Sequence, residues 1–279
     1  MESKHQSAGY NANLDEKTQK ALGCYMAVGG GAIERARGQT GTSIFDPVLC
    51  ECVYTWFMPA DGAVLDPFAG GSVRGIVAAH LGYKYIGIDL RPEQVEANMA
   101  QAEAIIPDNI PRWIVGDSRD LSELYSDAVD FVFSCPPYYD LEIYSDDERD
   151  LSTLGTYEQF IADYRDIIGK SVGLLRDDRF ACFVVGDMRD KRGFYRNFVA
   201  DTIAAFRDAD MELYNEAVLV TAVGSLPIRA GKQFGGYRKL GKTHQNVLVF
   251  YKGDPKQIKR LFGEVDVTGL FPQLVTDSE

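Results

Sequence analysis

The sequence predicts an α/β fold, a mainly parallel β-sheet with helices on both faces. Three observations predict it. Apolar runs near residues 64, 86, 114, 131 and 182 alternate with helical patterns over 73–81, 92–106 and 157–175. Such alternation makes parallel strands joined by right-handed crossovers. A tight glycine turn, Gly70-Gly71, separates the first run from the first helix. After a helix over 195–208, the runs Ala217 to Thr221 and Asn246 to Tyr251 follow each other without a helix between them, so they should pair antiparallel.

Residues 1–41, which include Gly29-Gly30-Gly31, lack sustained periodicity and read as an arm that is mobile or ordered by a partner. One domain then spans 42–262, and 263–279 form a tail. A helix from Ile44 to Phe57 leads into the strand Ala63-Val64-Leu65-Asp66. The turn Pro67-Phe68-Ala69-Gly70-Gly71-Ser72 follows, then the helical pattern Val73 to Leu81. A turn of this kind lets backbone approach a ligand and aims a helix N-terminus at it, which suits a nucleotide-like cofactor. The second strand, Tyr85 to Asp89, ends in a carboxylate and is followed by Leu90, Arg91 and a helix opened by Pro92. Asp89 is therefore placed to take ribose hydroxyls. Hydride transfer on a dinucleotide shares that acidic residue, but it wants G-x-G-x-x-G. Here an Asp-Pro precedes two adjacent glycines, with no third at that spacing.

The apolar run from Val129 ends in Ser134-Cys135-Pro136-Pro137-Tyr138. Two prolines remove two backbone donors and fix two φ angles, so the strand stops while the carbonyls before them stay available as acceptors. Tyr138 adds a flat face on which a base could stack. The element suits a clamp for an amine. A plain strand terminator would look the same, and only its partners separate the two readings.

Those partners carry a resemblance. DPFAGGS at 66–72, IDL at 88–90, GDS at 116–118 and CPPY at 135–138 resemble the S-adenosylmethionine-dependent DNA amino-methyltransferases of prokaryotes and their phages, the type found in restriction-modification. The resemblance covers about Thr42 to Lys252. It implies a Rossmann-like methyltransferase fold, with a seven-stranded sheet and a reversed final strand. It assigns the cofactor's methionine part to Asp66, Pro67, Phe68, Ala69, Gly70, Gly71 and Ser72, its ribose to Asp89 with Leu90, and its adenine side to Asp117 and Ser118. Phe45, in Phe45-Asp46-Pro47, takes the place of the family's additional N-terminal cofactor motif, and Cys135 borders the cofactor.

Composition fits one globular enzyme domain, with 279 residues of which 46% are hydrophobic. No run approaches the roughly twenty apolar residues of a spanning helix, and Met1-Glu2-Ser3-Lys4-His5 begins no signal peptide. Cysteines at 24, 50, 52, 135 and 182 are too scattered for a disulfide framework, which fits a reducing cytoplasm. With histidines only at 5, 80 and 244, no metal site is expected, and Cys50 and Cys52 read as core or strand-end thiols.

Charge singles out the connection before the last strand. The net charge is −12, which on its face disfavours a nucleic-acid partner. Yet 217–260 hold nine basic residues against the single acid Asp254, a net +8 that leaves −20 elsewhere. Hairpin loops usually have about 2 to 5 residues, so an insertion over 222–245 reads as functional. Arg229, Lys232, Arg238, Lys239 and Lys242, interleaved with Phe234, Tyr237 and glycines, form a candidate DNA-contacting loop. A solvated basic loop is the bland alternative. The acidic stretch Tyr139 to Asp150 reads either as a lid or as a solvated loop, with Asp140 nearest the site. Expected partners are thus S-adenosylmethionine, DNA and, in assembly, a second copy in a homodimer; no membrane is expected.

The implied chemistry is methyl transfer to an exocyclic amine whose lone pair is delocalised into its ring. Acceptors fixed at the Cys135 side chain and at a carbonyl of the Cys135-Pro136 turn would draw the N–H bonds out of plane and aim the nitrogen. The family commonly has Asp or Asn before Pro-Pro in adenine enzymes and Ser in cytosine enzymes; this chain has Cys135. A thiol is a weak acceptor with an ordinary pKa near 8.5, and is closest in shape to serine. That favours cytosine N4 over adenine N6. Three alternatives stay open: methylation of RNA or of a protein amide, a non-catalytic DNA-binding decoy, and ring-carbon methylation by a nucleophilic cysteine, for which a Pro-Cys order is expected.

Overall fold

The computed structural model describes residues 44–141, 143–220 and 226–265, with the side chains of 226–229 also outside the description. Seven strands, β1 (Ala63–Asp66), β2 (Lys84–Asp89), β3 (Arg112–Val115), β4 (Val129–Ser134), β5 (Leu175–Val185), β6 (Glu212–Val220) and β7 (His244–Lys252), form one sheet in the order β3-β2-β1-β4-β5-β7-β6. The pairs among β1 to β5 are parallel, and β7 is antiparallel to both β5 and β6. This is the expected mainly parallel sheet with a reversed final strand. The chain winds from β1 out to β3, then crosses back to β4 on the other side of β1. That reversal opens a crevice at the carboxyl ends of β1 and β4, the usual ligand position in such sheets.

Helices α1 (Pro47–Phe57), α2 (Val73–His80) and α3 (Pro92–Ile105) cover one face; the short α4 (Leu121–Leu124), α5 (Tyr157–Leu174) and α6 (Phe198–Asp208) cover the other. Successive strand residues point to opposite faces. Val64, Phe131, Phe133, Cys182 and Val249 accordingly pack under α1 to α3, while Leu65, Val132, Phe183, Leu248 and Phe250 pack under α5 and α6. Burial on both faces is why these strands read as continuous apolar runs. Asp46 caps α1 by accepting from the Val48 and Leu49 amides, and Thr156 with Gln159 forms a capping box on α5.

Several expectations change. The first helix starts at Pro47, where Asp46 caps it, not at Ile44. Residues 195–197 belong to a hairpin instead of a helix: Tyr195 bridges Arg189, and Asn197 has φ +61°, so α6 starts only at Phe198. β6 begins at Glu212, five residues before the apolar run; it is the edge strand, exposed along nearly its whole length, and Glu212, Asn215 and Glu216 interrupt the apolar pattern in its first half. The insertion is not all loop; α7 (Leu226–Tyr237) occupies it, with Pro227 in its first turn and Arg238 ending it at φ +55°. Of the two readings for Cys50 and Cys52, core or strand end, the structure bears out the core for Cys50, which is buried on α1, while Cys52 is half-buried on the same helix. Cys24 and the arm lie outside the described residues, as does the tail beyond 265.

The basic cluster also splits. β7 runs antiparallel, so it starts beside Val185 at the carboxyl edge and ends beside Arg179 at the amino edge. Lys252 therefore bonds the Leu175 carbonyl at 2.6 Å, and Lys256, Lys259 and Arg260 follow it, the last two on α8 (Ile258–Phe262), at the edge away from the crevice. Only Arg229, Lys232, Arg238, Lys239 and Lys242 lie on the crevice side.

Gly75 shows how tightly α2 sits on the sheet. A Cβ there would lie 2.6 Å from Trp113 Cζ2 and 3.0 Å from the Tyr85 ring. Gly75→Ala should therefore destabilise by about 1–3 kcal/mol through overpacking, which exceeds the roughly 1 kcal/mol that alanine gains in helix propensity. A urea titration checks the sign.

Candidate active site

Four strand ends converge at the carboxyl edge. At the end of β1, the Asp66 carboxylate is fully enclosed. Its Oδ2 accepts from Arg74 Nε at 2.6 Å and from the Tyr85 hydroxyl at 2.7 Å; its Oδ1 accepts from Ser134 Oγ at 2.5 Å and from the Phe68 amide at 3.2 Å. Asp66 thus lies beneath the glycine loop as a brace, with two protein donors on each carboxylate oxygen. The Ser134 bond matters most, because it ties the loop after β1 to the strand that delivers Cys135-Pro136-Pro137-Tyr138.

Arg74 completes this brace. Its guanidinium donates to the Phe68 and Ala69 carbonyls at 2.9 and 2.8 Å, and lies 4.6 Å from the centroid of the Phe45 ring. Burial is the largest influence on Arg74 and opposes its charge, but Asp66, Tyr85 and Cys135 together outweigh it and hold the guanidinium above its ordinary range. Phe45 also meets Phe133 edge-on at 5.7 Å, which fixes it beside the loop.

Above the brace, Gly70 takes φ +52°, a left-handed conformation that favours glycine. Its amide donates to Asp89 Oδ2 at 2.9 Å and its carbonyl accepts from the buried Asn98 at 2.7 Å. A Cβ on Gly70 or Gly71 would meet nothing within 4 Å, so the loop faces open space. Ser72 opens α2 and hydrogen-bonds Gln101. Asp89, at the end of β2, also accepts from the Arg91 amide at 2.9 Å; burial raises its pKa above the usual carboxylate range. Leu90 follows it, half-buried. After β3, Ser118 Oγ donates to the Pro67 carbonyl at 2.5 Å, locking this strand end to the glycine loop. Asp117 is paired with Arg119 at 2.6 Å, and Arg119 reaches on to Asp163 at 2.8 Å.

The Pro-Pro turn follows β4 directly. Cys135 and Pro137 are half-buried and Pro136 is buried. Tyr138 is held at both ends: its hydroxyl accepts from Gln245 Nε2 at 2.5 Å, and its ring meets Phe198 edge-on at 6.0 Å. Burial pushes its phenol well above the ordinary tyrosine range, so it stays protonated. Tyr139 has φ +48°, a strained conformation for a non-glycine residue, of the order of 1–3 kcal/mol. Its ring is fixed 5.7 Å from Tyr157, 5.6 Å from Phe160 and 4.9 Å from the Arg196 guanidinium. Asp140 turns outward and pairs with Arg196 at 3.8 Å.

The structure thus gathers Phe45, the 66–72 loop, Asp89, Asp117, Ser118 and the 134–138 turn at one edge. Of the candidate DNA contacts, Lys232 and Arg238 are exposed and Lys239 and Lys242 half-buried; Arg229 lies on α7, its side chain outside the description. Arg74, Tyr85, Asn98, Arg196 and Gln245 join the set although the motifs do not mark them. Arg74 has one signal in the sequence, a lone charge inside the apolar helix that follows the glycine turn. A depression bounded by Arg165, Asp208 and Lys252 lies at the opposite edge and shares no residue with the set. Among the described residues, no helix is long and apolar enough to cross a membrane.

No protein-family model and no curated protein sequence matches the chain. Solved structures do. A methyltransferase from Pyrococcus furiosus aligns with a TM-score of 0.51 at 13% identity, over 85% of this chain and 100% of that one. Magnesium protoporphyrin IX methyltransferase from Synechocystis PCC 6803, solved with bound SAM, aligns at 0.48 and 14% identity, over 87% and 99%. TrmN from Thermus thermophilus aligns at 0.49 and 18% identity over 75% of this chain, which spans about half, 49%, of that protein. The likeness is one of fold, and the chain has the Rossmann-like methyltransferase fold.

Proposed function

We propose that this protein transfers a methyl group from S-adenosylmethionine to the exocyclic amine of a base flipped out of DNA, cytosine N4 in preference to adenine N6. The observation that carries the reading is the Ser134–Asp66 hydrogen bond, which joins the amine-gripping turn to the glycine loop across the β1/β4 crevice. The loop suits this cofactor: Gly70 and Gly71 leave open space in front of their backbone, and Asp89 retains lone pairs for hydroxyls beyond the amides it already accepts. Gly70, Gly71 and Ser72 would hold its methionine part, Asp89 its ribose, and Asp117 and Ser118 would border its adenine. When bound, the cofactor supplies an electrophilic methyl group.

The remaining work falls to the protein. The Cys135 side chain and a carbonyl of the turn accept from the amine and draw its lone pair out of conjugation. Pro136 and Pro137 keep those acceptors rigid, so little reorganisation accompanies the reaction. Tyr138 stacks on the base, offsetting part of the few kcal/mol that flipping costs. The cysteine in place of serine or aspartate makes one acceptor weak, and points to the cytosine amine by shape.

Incubation with radiolabelled cofactor and unmodified duplex DNA, with RNA and protein extract in parallel, followed by chromatography of the hydrolysed products, tests this directly. Label in N4-methylcytosine is expected. Label in RNA alone or in protein would move the substrate class, and tight cofactor binding with no labelled polymer would end the enzymatic reading. Because sulfur is a weak acceptor, Cys135→Ala should slow turnover only about tenfold, the worth of one modest hydrogen bond. Cys135→Ser should keep or raise the rate. An inert wild type revived by Cys135→Ser would identify a decoy.

A further inference from the structure

The connection from β5 to α6, residues 186–197, is an ordered basic hairpin that the motifs leave unexplained. Arg189 and Tyr195 bridge across it, and the Asp190 amide donates to the Phe194 carbonyl at 2.8 Å. Asp190 is occupied by the turn, its carboxylate accepting from the Phe194 amide at 2.8 Å. The outward side carries Arg189 stacked 3.9 Å from the Tyr195 ring and Arg192 5.3 Å from the Phe194 ring. Phe194 is 63% and Tyr195 41% exposed. Within a chain of net charge −12, residues 187–197 have four basic and two acidic side chains.

Two contacts give this hairpin a place. At its tip, a Cβ on Gly193 would lie 2.5 Å from Lys239 Nζ, so the hairpin abuts the segment that ends α7. There the same motif recurs, with Arg238 5.4 Å from the Phe234 ring and Lys239 5.5 Å from Tyr237. At its root, Arg196 stands 4.9 Å over Tyr139 and 5.0 Å over Tyr157, next to the amine-gripping turn. Cation–aromatic pairs hold flat rings and positive charge together in one surface, the combination that binds nucleic-acid strands through phosphates and base faces.

We propose that the 186–197 hairpin and the α7 segment form one strand-binding surface, in which Lys191 and Arg192 take backbone phosphates and Phe194 stacks or wedges at a base beside the target. This rests on the methyl-transfer reading for its polymer substrate, and it adds to the 222–245 insertion a contacting element that lies outside it. A phosphodiester strand is favoured over a second protein copy because cations accompany every exposed ring of the surface while the chain as a whole is acidic.

Fluorescence anisotropy with a labelled duplex, and with single-stranded DNA and RNA of the same sequence, tests it across a salt series. Lys191→Ala/Arg192→Ala spares the bond that Arg189 donates to the Gly193 carbonyl at 2.8 Å across the turn, and should lower the slope of log affinity against log salt by about two. Phe194→Ala should weaken binding about tenfold with little change in slope. Both should keep the wild-type melting temperature and affinity for S-adenosylhomocysteine. Whichever polymer shows these losses is the strand concerned. If both variants bind as wild type while Lys239→Ala loses slope, the hairpin is excluded and the methyl-transfer reading stands. A wild type that binds none of the probes overturns both. Loss of self-association on sedimentation, with polymer binding unchanged, would make the hairpin a contact between copies and overturn the proposal.

Discussion

Asp66→Ala is expected to cost the fold about 3–5 kcal/mol, because it strands a buried guanidinium. Arg74 Nε has its 2.6 Å partner in Asp66, and both side chains are almost wholly enclosed. The Tyr85 and Ser134 hydroxyls lose their acceptor in the same substitution. An unpaired buried charge costs far more than its pair contributes, since desolvation remains when the partner has gone. The double variant Asp66→Ala/Arg74→Met should therefore be less destabilised than Asp66→Ala alone. Urea denaturation of the three proteins reads this out. A loss below about 1 kcal/mol in Asp66→Ala would mean that water or another acceptor reaches Arg74, and that the loop is not braced from below.

That brace also shows what sequence could and could not deliver. The central strands are buried on both faces, so β1, β2, β4 and β5 stand out as apolar runs, and the glycine turn and Pro-Pro turn are local chemistry visible in a few letters. Asp66 was legible as a member of the site, but its position under the loop was not, because Arg74, Tyr85 and Ser134 reach it from three different elements. Asn98 supports Gly70 from 28 positions away, for which a helix pattern gives no sign. The basic residues around 217–260 looked like one cluster because β7 lies between them in sequence. In space β7 spans about 27 Å, and it carries Lys252 and its successors to the far edge. The end of the hairpin, 195–197, was hidden for a related reason: Phe194 and Tyr195 face outward, so no burial pattern separates these residues from the helix that follows.

Tyr138→Ala should lower turnover about 100- to 1000-fold while leaving cofactor affinity near wild type. Two losses combine. Stacking of a base on an aromatic ring is worth about 1–3 kcal/mol, and a target base misplaced by about 1 Å costs on the order of 100-fold. The ring is suited to that part because it is preset: Gln245 holds its hydroxyl, Phe198 holds its edge, and the strained Tyr139 behind it is clamped by Tyr157, Phe160 and Arg196. Tyr138→Phe keeps the ring and gives up only the Gln245 bond, so its rate should stay within about tenfold of wild type. It also serves as the control for folding, since it leaves no cavity against Phe198. The two rates, taken with KM for the polymer, separate a stacking surface from a structural tyrosine. If Tyr138→Ala falls no further than Tyr138→Phe, the base is stacked elsewhere and the turn acts through its carbonyls alone. If Tyr138→Phe falls as far as Tyr138→Ala, the hydroxyl matters more than the face, and the Gln245 contact becomes the feature that positions the amine.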